Sequence, residues 1–359
     1  MDIQQTLKEF KADIDVRLET YFDRMIAEIR EKDPMMAEHL AYVKRYTLAG
    51  GKRLRSALVY YGYVAAGGKD TEAILDTSIC IELLHSFLLI HDDIMDRDAM
   101  RHGIPTVHEH YTQMAGKHFP LADEKHFGQS MALIMGDIIG ALGNQVLFTS
   151  PFPAEIIVKA LNKYQSIVWL TVIGQSQDFW IEHTQEATEE EILRMYEYKT
   201  ARYTMEGPLQ MGTILMGGSS TELEGALSRY AVPIGIAFQI QDDILGIFGE
   251  EKKLGKPMAS DLIEGKYTLL VAKALKHASR EQAKQLRFLL KKGTNIQEGD
   301  IEIFRRLLNE TGALEETKRL ALEYIETGKQ ELLPVKNKMP QEAYDFLIGI
   351  ADHMATREY

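Results

Sequence analysis

The chain has one cysteine, Cys80, so a disulfide framework is excluded. Its place in an apolar stretch favours a reducing, cytoplasmic setting. No charged-then-apolar leader opens the sequence, and no uninterrupted run of about 18 apolar residues is there to span a membrane. Positive charge is short as well. The 41 Lys and Arg stand against 53 Asp and Glu, a net charge of -12. That balance argues against a general nucleic-acid binder. It also means that an anionic ligand needs locally placed cations, either side chains or metal ions. No Ser/Pro/Gly-rich linker divides the chain, no stretch shows sustained strand-like alternation, and no fixed-period repeat is visible.

What is present is helical periodicity. In 1–33, Ile3, Leu7, Phe10, Ile14, Leu18, Phe22, Met25 and Ile29 recur at three- and four-residue steps, and Pro34 ends the pattern. Further helices are predicted over 35–48, 54–66, 70–98, 128–149, 154–184, 189–216 and 221–248. Shorter ones follow near 267–279, 281–291, 299–311, 314–332 and 340–355. The stretch 99–127, with Gly103, Pro105, Gly116 and Pro120, reads as loop-rich. The expectation is an all-α fold: one domain over residues 1–359, an antiparallel bundle whose loops at one end carry the chemistry.

The segment 81–110 organises that chemistry. An almost wholly apolar run ends abruptly in Asp92, Asp93, Asp96 and Asp98, followed by Arg101 and His102. On a helix Asp92 and Asp96 share a face, with Asp93 rotated about 100° away. Like charges this close call for a cation, and hard divalent ions such as Mg²⁺ take oxygen ligands. A solvated helix end explains one such cluster equally well. A second apolar helix, however, ends in Asp242 and Asp243, with Gln239 one turn earlier. Lys52, Arg53 and Arg55 follow Gly50-Gly51, which suits a phosphate. Arg101, Lys199, Lys256 and Lys266 add further fixed cations. Each alone reads as surface charge. Together with two carboxylate clusters they predict a metal-dependent polyphosphate site.

The segments GGKRLR, DDIMDRDAMRHG, GQSQD, KTARY, FQIQDDILG and GKPMASDLIEGKYT occur in the order and approximate spacing of the trans-isoprenyl diphosphate synthases, the polyprenyl synthetase family. The resemblance covers about residues 45–275. It implies an isoprenoid-synthase bundle with a central active-site cavity. It also implies condensation of isopentenyl diphosphate with an allylic diphosphate (dimethylallyl, geranyl or farnesyl), aided by about three Mg²⁺ ions. By the same resemblance Asp92, Asp93 and Asp96 bind metal from one wall, and Asp242 with Asp243 from the other. Arg101, Lys199, Lys256 and Lys266 hold the allylic diphosphate. Lys52, Arg55, His85 and His102 lie where isopentenyl diphosphate binds. Thr200 and Gln239 stand near the reactive carbons, and Asp178 either backs a site residue or contacts a metal-bound water. A homodimer is expected on the same ground.

The sequence departs from the family pattern twice. His102 replaces a second Arg, and since His titrates near neutrality, isopentenyl diphosphate affinity is expected to fall as pH rises. Gly246 stands where a third Asp usually closes the second motif. Phe87 lies five residues before Asp92, about 7 Å down the helix. With a non-aromatic Leu88 and no insertion in the first motif, this pattern resembles a geranylgeranyl diphosphate synthase, and farnesyl diphosphate is the alternative product. A regulatory subunit of a heteromeric synthase would tend to lack these charges. A terpene cyclase would not need Lys52, Arg55 and His85. A helical scaffold leaves the paired acidic helices unexplained.

Overall fold

The computed structural model describes residues 1–121, 123–249 and 260–355. The expected all-α fold is what it shows: sixteen α-helices among these residues, plus one two-residue hairpin. In chain order they are α1 (Ile3–Lys32), α2 (Pro34–Leu48), α3 (Leu54–Ala65), α4 (Thr71–Asp96), α5 (Val107–His118), α6 (Glu124–Phe148), α7 (Ala154–Thr184) and α8 (Glu189–Tyr196). A π-helix (Glu197–Glu206) links α8 to α9 (Gly207–Leu215). Then come α10 (Thr221–Phe248), α11 (Ser260–Glu264), α12 (Leu269–His277), α13 (Arg280–Leu290), α14 (Glu298–Glu310), α15 (Ala313–Leu332) and α16 (Gln341–Ala355).

The helices fall into two compact units. The first holds Asp2–Tyr60 and Gly68–Leu161, and α4 forms its centre, packed chiefly on α6. Thirteen residues of α4 are buried, including Ile74, Ile79, Leu83, Leu84, Ile90 and Asp93. Full burial of each aliphatic side chain contributes about 1.5–3 kcal/mol. The Asp70 carboxylate starts α4 by accepting from the Ala73 amide, and Arg97 ends it in the left-handed conformation. The second unit holds Tyr61–Gly67 and Asn162–Tyr359, and α10 forms its centre, packed on α15 and the π-helix. Ser220 caps α10, accepting from the Leu223 amide.

Three expectations need correction. Much of the segment read as loop-rich is regular structure: strands β1 (Met100–Arg101) and β2 (Ile104–Pro105) pair antiparallel, and α5 follows. Gly116 and Pro120 masked α5, whose buried Val107, Tyr111 and Ala115 do recur at helical spacing. The stretch 189–216 is interrupted by the π-helix rather than continuous. The chain also carries an internal recurrence. Tyr46, Gly67, Gly68, Thr71, Asp92 and Asp93 stand at the same intervals as Tyr196, Gly217, Gly218, Thr221, Asp242 and Asp243. Gly67 and Gly217 both have positive φ, and α4 and α10 begin at the matching residues.

Averaged over a window, α4, α6 and α10 are long and apolar enough to cross a membrane. Scattered residues such as His85 and Ser86 break the uninterrupted runs, so a run criterion passes over them. In α4 and α10, 67% and 61% of that window is buried against other helices. In α6 only 44% is, with Leu133, Ile134 and Phe148 exposed.

Candidate active site

In the first unit the acidic end of α4 presents Asp92 and Asp96, both half-buried. Asp93 is fully buried instead. One of its oxygens accepts from Tyr46 Oη at 2.6 Å, and the other from Arg101, with Nε at 2.6 Å and Nη2 at 2.5 Å. Burial pushes the Asp93 carboxyl up to about 6 against the opposing charge of Arg101. Arg101 also reaches Asp98 at 3.1 Å. This fork fixes the guanidinium beside the acidic helix end, on the hairpin strand β1.

The predicted isopentenyl diphosphate residues gather near this point. His85 is half-buried on α4. Burial, with the positive charges of Arg55, Arg101, Arg53 and His102 around it, pushes its imidazole well below the usual range. It is therefore neutral at pH 7. His102 has φ 50° in the turn between the two strands, and its ring lies against Gly50, where a side chain would collide with it. The left-handed turn thus carries His102 back to the GGKRLR segment. Lys52 is exposed there, and Arg55 is half-buried. Arg53 is different. It is buried, with Nε on Asp15 at 2.7 Å, Nη2 on the Thr47 carbonyl at 2.8 Å and Nη1 on Glu82 at 3.4 Å. Its charge ties helices together, which removes it from the phosphate candidates.

Phe87 and Leu88 are both half-buried. The Phe87 ring stands edge-on to His91 at 4.8 Å and lies over Gly140 of α6, 3.4 Å from where a methyl would sit.

In the second unit the π-helix carries Lys199 and Thr200. Such helices are uncommon and are frequent at functional sites. Gly174, first residue of GQSQD, lets α7 approach it so closely that a side chain there would collide with the Lys199 backbone. Four residues on, Asp178 forms an ion pair with Lys199. Asp178 therefore meets Lys199, a residue expected at the allylic diphosphate, directly. Thr200 Oγ1 donates to Gln239 Oε1 at 2.5 Å, and Gln239 Nε2 donates to Asp243 Oδ1 at 2.8 Å. The other Asp243 oxygen meets Tyr196 Oη in a short hydrogen bond, and that hydroxyl accepts from the Leu269 amide at 2.9 Å. Burial, then the nearby Asp261, push the Asp243 carboxyl up to about 8. Oδ1 remains an acceptor whether or not Oδ2 carries a proton. Asp242, by contrast, is half-buried.

Lys266 pairs with Glu264 at 2.5 Å and lies 3.9 Å from Asp261. Asp261 in turn lies against Gly246, the position of the expected third aspartate. Lys256 lies outside the described residues. The sequence reading missed Tyr46 and Tyr196. The signal was available, since each tyrosine stands 47 residues before the aspartate it bonds.

Among the described residues no group of three His, Cys, Asp or Glu side chains is already assembled as a metal cage. Hard carboxylate oxygens on half-buried helix ends fit Mg²⁺, which keeps several waters and takes further oxygens from phosphate.

The Polyprenyl synthetase family model matches residues 37–307. The chain belongs to that family. As a polyprenyl synthetase it is a trans-prenyltransferase. It is 35% identical over 323 residues to a geranylgeranyl diphosphate synthase of Methanosarcina mazei, covering 90% of this chain and 91% of that one. It is 33% identical to a short chain isoprenyl diphosphate synthase of Methanothermobacter thermautotrophicus, covering 100% of both. Among solved structures, geranylgeranyl pyrophosphate synthase from Corynebacterium glutamicum, complexed with isoprenyl diphosphate and magnesium, superimposes with a TM-score of 0.91. That protein is 31% identical, over 98% of this chain and 99% of its own.

Proposed function

We propose that this prenyltransferase joins isopentenyl diphosphate head-to-tail to an allylic diphosphate and releases geranylgeranyl diphosphate. The allylic C–O bond breaks and diphosphate leaves with the electron pair. The double bond of isopentenyl diphosphate attacks the resulting cation. Loss of a proton, with the released diphosphate as acceptor, restores a double bond. Bound Mg²⁺, about three ions per site, supplies charge stabilisation for the leaving diphosphate. Asp92 and Asp96 would hold metal in the first unit, and Asp242 would hold metal in the second. Arg101, Lys199, Lys256 and Lys266 bind the allylic diphosphate, while Lys52, Arg55, His85 and His102 bind isopentenyl diphosphate. Thr200 gives its proton to Gln239, so its lone pairs can face an allylic cation.

The observation that carries this reading is in the first unit. The positive charges of Arg55, Arg101 and His102 act on a His85 imidazole held below its usual range, and Arg101 is bonded to Asp93 and Asp98 at the acidic end of α4. Cations beside acidic ligands suit a diphosphate with its metal, and a neutral imidazole adds a donor without repelling them. Phe87, set over α6, sets the depth available to the growing tail.

The two compact units work as one domain, and the protein is a cytoplasmic homodimer. In support of the dimer, α7 exposes Trp169, Val172, Phe179 and Trp180 at helical spacing. Two measurements test the proposal. Purified protein with Mg²⁺, labelled isopentenyl diphosphate and each of dimethylallyl, geranyl and farnesyl diphosphate should yield a twenty-carbon product. No incorporation from any primer refutes the synthase reading, and a fifteen-carbon end product refutes the chain length. Light scattering on Trp169→Glu should report monomer where the unmodified chain reports dimer.

A further inference from the structure

The two aspartates of each acidic pair differ in burial. Asp92 and Asp242 are half-buried, whereas Asp93 and Asp243 are buried with both oxygens engaged inside their own unit. In each case one oxygen meets a buried tyrosine 47 residues upstream, and the other meets a side chain of the proposed substrate site. For Asp93 that side chain is Arg101. For Asp243 it is Gln239.

The Asp243 case has a chemical consequence. A glutamine amide has a donor end and an acceptor end, and nothing in its shape distinguishes them. The Asp243 carboxyl oxygen accepts only, so it selects the amino end of Gln239. The carbonyl end is thereby turned to Thr200 at 2.5 Å, with a lone pair to spare. With the amide reversed, an N–H dipole would point its positive end at a developing cation. Tyr196 prevents reversal indirectly. It is buried, and its hydroxyl is itself fixed by the Leu269 amide at the start of α12.

We propose that Tyr196 and Asp243 are positioning residues for Gln239, and that Asp243 contributes little to metal binding. The inference rests on the reading of Thr200 and Gln239 as the cation-facing pair. Asp243 orients the amide, Tyr196 orients Asp243, and metal on this wall is held by Asp242. Asp93 and Tyr46 repeat the arrangement for Arg101 in the first unit.

The test is a double-mutant cycle with a separate metal-binding measurement. Tyr196→Phe removes one hydroxyl and keeps the ring. It is expected to lower kcat about tenfold while the allylic KM moves less than twofold. In a Gln239→Leu background the same change should have no further effect on kcat, because its target is gone. Calorimetric titration of Mg²⁺ in the presence of inorganic diphosphate should give the same affinity for the unmodified chain, Tyr196→Phe and Asp243→Asn. Asp242→Asn should bind more weakly by tenfold or more. Additive kcat losses in the cycle would overturn the positioning role, as would an unchanged kcat in Tyr196→Phe. Metal binding weakened in Asp243→Asn as much as in Asp242→Asn would make Asp243 a ligand and overturn the assignment. An unmodified chain with no condensation activity would refute the proposed function alone, since the titration does not require turnover.

Discussion

The Asp261 carboxylate lies against the backbone of Gly246, so close that any side chain at 246 would collide with it. The second acidic motif therefore does not simply lack a carboxylate at its third position. Asp261, brought from α11, occupies the adjoining space, and the glycine makes room for it. Gly246→Asp is accordingly expected to harm the protein, although it restores the usual motif. Steric overlap and like charge should cost about 1–3 kcal/mol. Thermal unfolding and the Mg²⁺ dependence of turnover check this. A variant as stable as the unmodified chain, with tighter Mg²⁺ dependence, would show that the space is not limiting.

Phe87 and Gly140 face each other between α4 and α6. Removing the ring deepens whatever space α4 and α6 leave for a tail. Phe87→Ala should shift products beyond twenty carbons, at a stability cost of about 1–3 kcal/mol, because the ring is only half-buried. Gly140→Ala places a methyl in ordinary contact with the ring, 3.4 Å away, and should leave product length unchanged. Chromatography of dephosphorylated products separates these outcomes. An unchanged product spectrum for Phe87→Ala would remove Phe87 as the stop.

Close approach between α7 and the π-helix depends on Gly174, and the ion pair of Asp178 with Lys199 depends on that approach. Gly174→Ala must push the Lys199 backbone away. It should lower kcat/KM for the allylic substrate by tenfold or more, because Lys199 is proposed to hold that diphosphate and misplacing such a group is costly. Asp178→Asn keeps the backbone in place and should cost less. Steady-state kinetics with geranyl diphosphate rank the two, and the reverse order would count against the spacing argument.

Helix periodicity made the fold class legible in the sequence, and the paired Asp residues with the ordered motifs made the family legible, because both are local patterns. What escaped was long-range or masked. Tyr46 and Tyr196 look like ordinary core aromatics until their partners, 47 residues away, are seen. Arg53 sits in a basic run, and only burial against Asp15 and Glu82 separates it from Lys52 and Arg55. Helix α5 was hidden by Gly116 and Pro120, residues that end helices more often than they interrupt them. The π-helix, only ten residues long, is too short for its wider turn to show as a period. The hairpin holding His102 turns on two left-handed residues, His102 and Gly103, and only the glycine is of a kind that favours that conformation.

His85 supplies a pH dependence whose sign can be worked out. Its folded pKa lies well below its ordinary value of 6.5, through burial first and then the charges of Arg55, Arg101, Arg53 and His102. Below pH 6.5 the unfolded chain therefore takes up a proton that the folded chain resists. Stability from this group is fully present above pH 6.5 and is lost as pH falls toward the depressed folded value. Chemical denaturation between pH 7.5 and 5 should show that decline. His85→Gln keeps a polar side chain without a titratable ring, so its stability should fall less over the same range. It should also raise the KM for isopentenyl diphosphate while leaving the allylic KM within about twofold, because His85 is proposed as a donor to that substrate alone. An equal pH slope in the two proteins would mean that His85 takes up protons alike in the folded and unfolded chains, and would overturn the depressed imidazole assigned to the site.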